Sequence, residues 1–231
     1  MKNFSLLRRL NIATALGLVV LTTGVSSTAL FAAATSNFQF TINPGTLSID
    51  IVDGSYVAVG SPTVIFDATT FSFACQTPGV TGTFGTSTQQ IYIKNPDAAD
   101  SGWAASIAAS APTAFWDSTG TDVDFNDPTT GGCTDGGDAD ALKGQLTVDA
   151  SGGTLAIGAC ASCATTNITK GSSSAFNQAT VDSITLLTAA AGSNDIGDWT
   201  LQGVDLSQTI PAETAAASDY DINMTISVVA S

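Results

Sequence analysis

The sequence predicts an all-β protein, an antiparallel β-sandwich carrying a long Gly/Asp-rich loop insertion. Many short runs alternate apolar and polar residues with a period of two. Those runs are separated by Gly, Pro, Asn and Asp clusters that favour turns. No stretch has the apolar spacing of an amphipathic helix; Ala189–Ala191 and Ala215–Ala217 are too short and end at Gly192 and Ser218.

Residues 1–34 read as an export signal. Lys2, Arg8 and Arg9 form a basic start, Ile12 to Leu21 an apolar core, and Ala32-Ala33-Ala34 a small-residue cleavage site, which places the mature start at Thr35. The alternative is a retained membrane anchor, since Leu10 to Ala34 approaches bilayer length. Thr22, Thr23, Ser26, Ser27 and Thr28 dilute that stretch, so cleavage is favoured and no membrane span is expected afterwards.

Residues 35–231 read as one domain without an internal boundary or a fixed-period repeat. Phe38–Ile42 and Leu47–Ile51 are alternating strands joined by the turn Asn43-Pro44-Gly45-Thr46. Thr70–Phe73, Gln90–Lys94, a run starting at Trp103, and Leu142–Val148 continue the pattern. Thr180–Leu187, Trp199–Leu201 and the long terminal run Tyr220–Val229 complete it. Asn37–Ile42 and Tyr220–Val229 are the expected sheet edges.

Asp117 to Asp140 interrupts the strands and is expected to form a long exposed loop tied down by Cys133. Within it Asp122, Asp124 and Asn126 place oxygen donors at alternate positions, as a calcium loop does. The glycine and terminal glutamate of an EF-hand are missing, the corresponding positions being Asp127 and Cys133, though Asp135, Asp138 and Asp140 lie near in sequence. A solvated acidic loop is the favoured reading; calcium is the one cofactor the chain suggests.

Cys75, Cys133, Cys160 and Cys163 are an even set in an exported chain and read as two disulfides. Three pairings are open. A four-thiolate zinc site needs two compact pairs, and Cys75 and Cys133 are far apart. The loop-like surroundings of Cys160-Ala-Ser-Cys163 do not suit a thioredoxin-type motif, which needs a helix N-terminus.

Six Lys and Arg face twenty Asp and Glu, and the chain has no histidine. Cleavage leaves Lys94, Lys143 and Lys170 against all twenty acids, a formal charge of −17. Nucleic acid is thereby excluded as a partner, because phosphates must be neutralised by Lys and Arg. Ser-His-Asp and Cys-His catalysis and His-ligated zinc are excluded as well. Paired carboxylates remain the only catalytic route, but nineteen of the acids are aspartates placed mostly in turns, and no pair stands out. The chain is therefore expected not to be an enzyme.

Trp103, Trp116 and Trp199 are read first as core anchors, with the indole N–H hydrogen-bonded. Trp116, beside the acidic insert, is the one expected to reach solvent, where an aromatic ring stacks on a sugar.

From about residue 70 onward the order of features resembles the WxL domain of exported bacterial surface proteins. Ile91-Tyr-Ile-Lys-Asn-Pro-Asp97, followed by Asp100-Ser-Gly-Trp103-Ala-Ala-Ser106, is similar to its strand, acidic turn and Gly-Trp strand. Ile184 to Trp199 is similar to the segment before its final hairpin. Leu206 to Thr214, with Pro211, then Tyr220 to Val229, resembles its closing turn and last strand. The chain departs from the family at Trp103-Ala-Ala105, which lacks the leucine, and at Met224-Thr-Ile226 in the last strand. The resemblance implies a β-rich, non-catalytic module at the cell surface, associating non-covalently with peptidoglycan or with other surface proteins. A self-assembling fibre or surface-layer subunit is the second expectation, since strands rich in Thr, Ser, Ala and Gly suit edge-to-edge assembly.

Overall fold

The computed structural model describes residues 37, 39–97, 101–136, 140–192 and 195–231. The expected export signal therefore lies outside the described residues, as does Phe38. The chain divides into two compact units, Met1–Ile42 and Asn43–Ser231. Among the described residues no helix is long and apolar enough to cross a membrane.

Among the described residues of the second unit there are twelve strands, in chain order β1 (Ser48–Val52), β2 (Gln76–Phe84), β3 (Gln90–Asn95), β4 (Trp103–Ala109), β5 (Leu146–Asp149) and β6 (Thr154–Ile157), then β7 (Ile168–Lys170), β8 (Ser174–Ala175), β9 (Ile184–Ala189), β10 (Gly197–Gln202), β11 (Val204–Ile210) and β12 (Met224–Ala230). They form three antiparallel sheets with the orders β1-β3-β10-β6, β2-β11-β5-β8 and β12-β4-β9-β7. The predicted all-β, antiparallel class is what the chain adopts.

The first two sheets are one folded surface. The chain passes from β2 to β3, from β11's neighbour β10 into β11, and from β5 to β6, and these three passages stand side by side. Gly85 and Gly203 make two of the corners with φ of 84° and 72°, a region open to glycine and strained for other residues. Gly203 N–H donates to the Gly85 carbonyl at 2.7 Å, tying the two corners together. A Cβ at Gly85 would stand 2.8 Å from the Leu201 carbonyl oxygen, so close passage of the backbones also demands glycine there.

All three sheets contribute to one core. Ile91, Ile93, Trp199 and Leu201 come from the first, Phe84, Val148, Val204 and Leu206 from the second, and Trp103, Ile107, Leu186 and Leu187 from the third. Trp103 and Trp199 are both fully buried with ring centroids 5.4 Å apart. Each indole N–H is satisfied, Trp103 by the Asp195 carbonyl at 3.2 Å and Trp199 by the Ala164 carbonyl at 2.8 Å. The anchor role read from the sequence holds for both.

The disulfides are Cys75–Cys133 and Cys160–Cys163, with Cα–Cα distances of 5.7 and 5.5 Å. The first fastens the acidic insert to the start of β2. One segment of the insert differs from the exposed loop expected: Val123, Asp124, Phe125, Asn126 and Asp127 are all buried. Phe125 packs edge-on to Phe176, and the buried Gln208 of β11 donates from Nε2 to the Asp124 carbonyl at 2.9 Å. An apolar side chain every other residue draws this segment inward despite its charge.

Three expected strands need correction. Residues 39–42 belong to no ladder and are exposed, Phe40 by 86% and Ile42 by 82%. Thr70–Phe73 is irregular, with Phe71 and Phe73 turned to solvent and packed on each other. The run starting at Leu142 bonds first to the insert, the Lys143 and Gly144 carbonyls accepting from the Asp124 and Asp127 N–H groups at 2.8 and 3.0 Å, and joins a strand ladder only from Leu146, where it meets β11. In the first two cases the alternation is present but no neighbouring strand pairs with it, and in the third the insert takes the place of a strand.

Candidate functional site

Strand alternation sends every second side chain of the second sheet away from the core. On β2 these are Thr81 and Thr83, on β11 Asp205 and Ser207, and on β5 Thr147 and Asp149. The register aligns them in two rows across the sheet. Thr83, Asp205 and Asp149 form one row, and Thr81, Ser207 and Thr147 the other. Thr63 to Asp67 raises a wall along the β2 edge, where Asp67 N–H donates to the Thr81 carbonyl at 2.7 Å. The turn Thr86–Gln89 closes one end, with Gln89 Oε1 accepting from the Thr63 N–H at 2.7 Å. The result is an open concavity of about 830 Å³ lined largely by hydroxyls and carboxylates, with no aromatic ring.

The electrostatics of this face are one-sided. Asp67, Asp149 and Asp205 all line it. Asp205 and Asp149 are direct cross-strand partners, a like-charge arrangement that works against sheet stability. Asp67 Oδ2 accepts from Thr81 Oγ1 at 2.9 Å. Asp149 Oδ1 accepts from the Ser151 hydroxyl at 2.6 Å and from its N–H at 2.9 Å, and these bonds hold the carboxyl below the usual range. A general acid needs the opposite shift. What the arrangement does offer is a dense set of acceptors and rotatable hydroxyl donors, the complement of a polyhydroxylated ligand.

On the opposite face of the same sheet lies a second concavity, about 540 Å³ and mostly apolar. Its floor includes Val80, Trp116, Val123 and Ile210, and its walls are the segments around Phe66–Phe71 and Pro211–Ser218. Trp116 is half-buried here, edge-on to Phe66 with centroids 5.3 Å apart, and its indole N–H donates to Gln208 Oε1 at 2.9 Å. Of the three tryptophans it alone reaches the surface, and the surface it reaches is the apolar groove rather than the hydroxyl-lined face.

The residues read as a calcium loop are spread over separate tasks. Asp122 Oδ1 accepts from Ser118 N–H at 3.2 Å, Asp124 Oδ1 from Phe125 N–H at 2.6 Å, and Asn126 Nδ2 donates to the Pro112 carbonyl at 2.7 Å. Asn126 Oδ1 and Asp127 Oδ2 are buried without a partner. Among the described residues no group of three or more acidic, Cys or His side chains converges as a metal site. Asp138 lies outside the described residues.

No protein-family model matches the chain, and neither a curated protein nor a solved structure matches it.

The hydroxyl-lined face was missed in the sequence because β2 is written Gln-Thr-Pro-Gly-Val-Thr-Gly-Thr-Phe. Pro78, Gly79 and Gly82 mask the strand. The legible signal was Thr at every second position, Thr81 and Thr83, matched by Asp205 and Ser207 in the strand that pairs with it.

Proposed function

We propose that this is an exported, non-catalytic cell-surface protein that associates non-covalently with cell-wall peptidoglycan through the concave face of the β2-β11-β5 surface. The observation that carries the reading is the paired rows of Thr, Ser and Asp side chains lining a cavity of about 830 Å³. Sugar hydroxyls donate to Asp149 and Asp205 and accept from the threonines. A rigid sheet presents these groups without large ordering costs, so many modest hydrogen bonds add up along a glycan strand. The absence of an aromatic platform from this face makes each sugar contact weak, which suits a wall of repeating units where several contacts act together. Two disulfides keep the fold intact outside the cell.

Charge sets a condition on this binding. The chain carries −14 overall, and peptidoglycan with its acidic polymers is also anionic. Long-range repulsion must be screened before the short-range contacts form. In a pelleting assay with purified sacculi, the fraction bound is expected to rise as salt is brought from low to physiological strength, and to rise again with calcium. Binding that is strongest at low salt and falls steadily with added salt would contradict the proposal.

A further inference from the structure

Among the described residues, the most exposed large apolar side chains, those of Phe40, Ile42, Ile65 and Phe73, fall in two places, while Tyr56, Val57, Phe115, Ile157, Ile196 and Val229 are exposed elsewhere. One is the rim of the apolar groove, where Ile65 is 85% exposed and Phe71, itself in the groove wall, stacks edge-on with Phe73 at 5.0 Å. The other is the segment Gln39–Ile42, where Phe40 and Ile42 lie exposed with an alternating polar neighbour between them. Exposed apolar surface gathered in this way marks an interaction site.

The two places are complementary. The sequence from Leu10 to Ile49 carries no charged residue, in a chain with twenty acids. The groove is lined by a single carboxylate, Asp67, and otherwise by apolar, hydroxyl and amide side chains. Two copies of so acidic a protein repel each other over most of their surfaces, so contact through an uncharged segment and a near-uncharged groove is the least opposed route. The shapes fit as well. An extended segment presents every second side chain to one side, which puts Phe40 and Ile42 together. Residues 67–75 and 211–219, which flank the groove, belong to no ladder, and their main chain is engaged at Asp67 N–H to the Thr81 carbonyl and at Glu213 N–H to the Ser72 carbonyl.

We propose that the groove is a self-association site that takes Gln39–Ile42 of a second copy as an extended segment, Phe40 and Ile42 seating against Trp116, Phe66 and Ile210. Each copy has one such segment and one such groove, so the contact is head-to-tail and extends into a chain of subunits unless it closes into a ring. The glycan face is centred on the other side of the sheet and shares with the groove only the wall residues Val64, Ile65 and Asp67, and the proposal does not depend on wall binding.

The test is sedimentation velocity of the exported chain with intact disulfides, without any glycan, over a wide concentration range. Wild type is expected to form oligomers as concentration rises. The double variant Phe40→Asn/Ile42→Asn, and separately Ile65→Asn at the exposed rim, should each require about tenfold more protein to reach the same mean mass. Mixing an I42C chain with an I65C chain should yield a disulfide-linked pair of the two. Oligomers unaffected by these variants would overturn the proposal. So would a wild type that stays monomeric throughout, or an I42C/I65C double variant that cross-links only within a single chain. Because no glycan is present, failure here leaves the wall-binding test unaffected, and the reverse holds too.

Discussion

Asp198, a buried carboxylate, is held by hydrogen bonds from two other elements. Its Oδ2 accepts from the Tyr92 hydroxyl at 2.8 Å and its Oδ1 from the Cys160 N–H at 2.9 Å, which joins β10 to β3 and to the small disulfide loop. Burial, and then the bond to Asp198, holds the Tyr92 phenol well above the ordinary tyrosine range. The unfolded chain releases this proton near pH 10 while the folded chain keeps it. Stability is therefore unaffected by this group below about pH 10 and falls as pH rises beyond it. Tyr92→Phe should cost about 2 kcal/mol at neutral pH, because the carboxylate loses a donor, and should flatten the alkaline decline. Urea denaturation of both proteins at neutral and alkaline pH checks this. Asp205 illustrates the opposite case, a charge placed against stability. Asp205→Asn removes the like-charge pairing with Asp149 and should raise stability by about 0.5 kcal/mol. The same change should weaken retention by peptidoglycan. A variant that is more stable and binds equally well would show that Asp205 has no part in recognition.

At the scale of elements, the two disulfides differ in what they constrain. Cys75–Cys133 spans 58 residues and holds the partly buried insert, whereas Cys160–Cys163 spans 3. By loop-closure entropy, replacing the first pair with serine should cost about 4 kcal/mol and the second about 2 kcal/mol. Chemical denaturation of the two double variants gives the comparison; equal losses would mean that the long bridge acts on a denatured state already compact there. Elements also show what was legible in the sequence. Gln90–Lys94 and Trp199–Leu201 were readable because their alternation coincides with ladder partners on both sides. Thr70–Phe73 has the same alternation and no partner, so local pattern alone misled. Strand β2, the longest, was hidden by Pro78 and two glycines, and with it the face that carries the proposed site. The insert was read by its aspartates as exposed, yet Val123 and Phe125 decide its position. Which cysteines pair is a matter of chain topology, and three-residue spacing left it open.

For the whole molecule, two sheets joined by corners at Gly85 and Gly203 carry two chemically distinct concavities on opposite faces of β2 and β11. The acidic surface keeps copies and the anionic wall apart except where specific contacts form. The hydroxyl-lined face is the centre of the functional account, and residue-resolved NMR tests it directly. Backbone amide shifts of the exported protein should be followed as soluble peptidoglycan fragments are added. The account predicts perturbations centred on Thr81, Thr83, Thr147, Asp149, Asp205 and Ser207, saturating together. Unchanged shifts at these residues, or perturbations confined to a different surface, would contradict it.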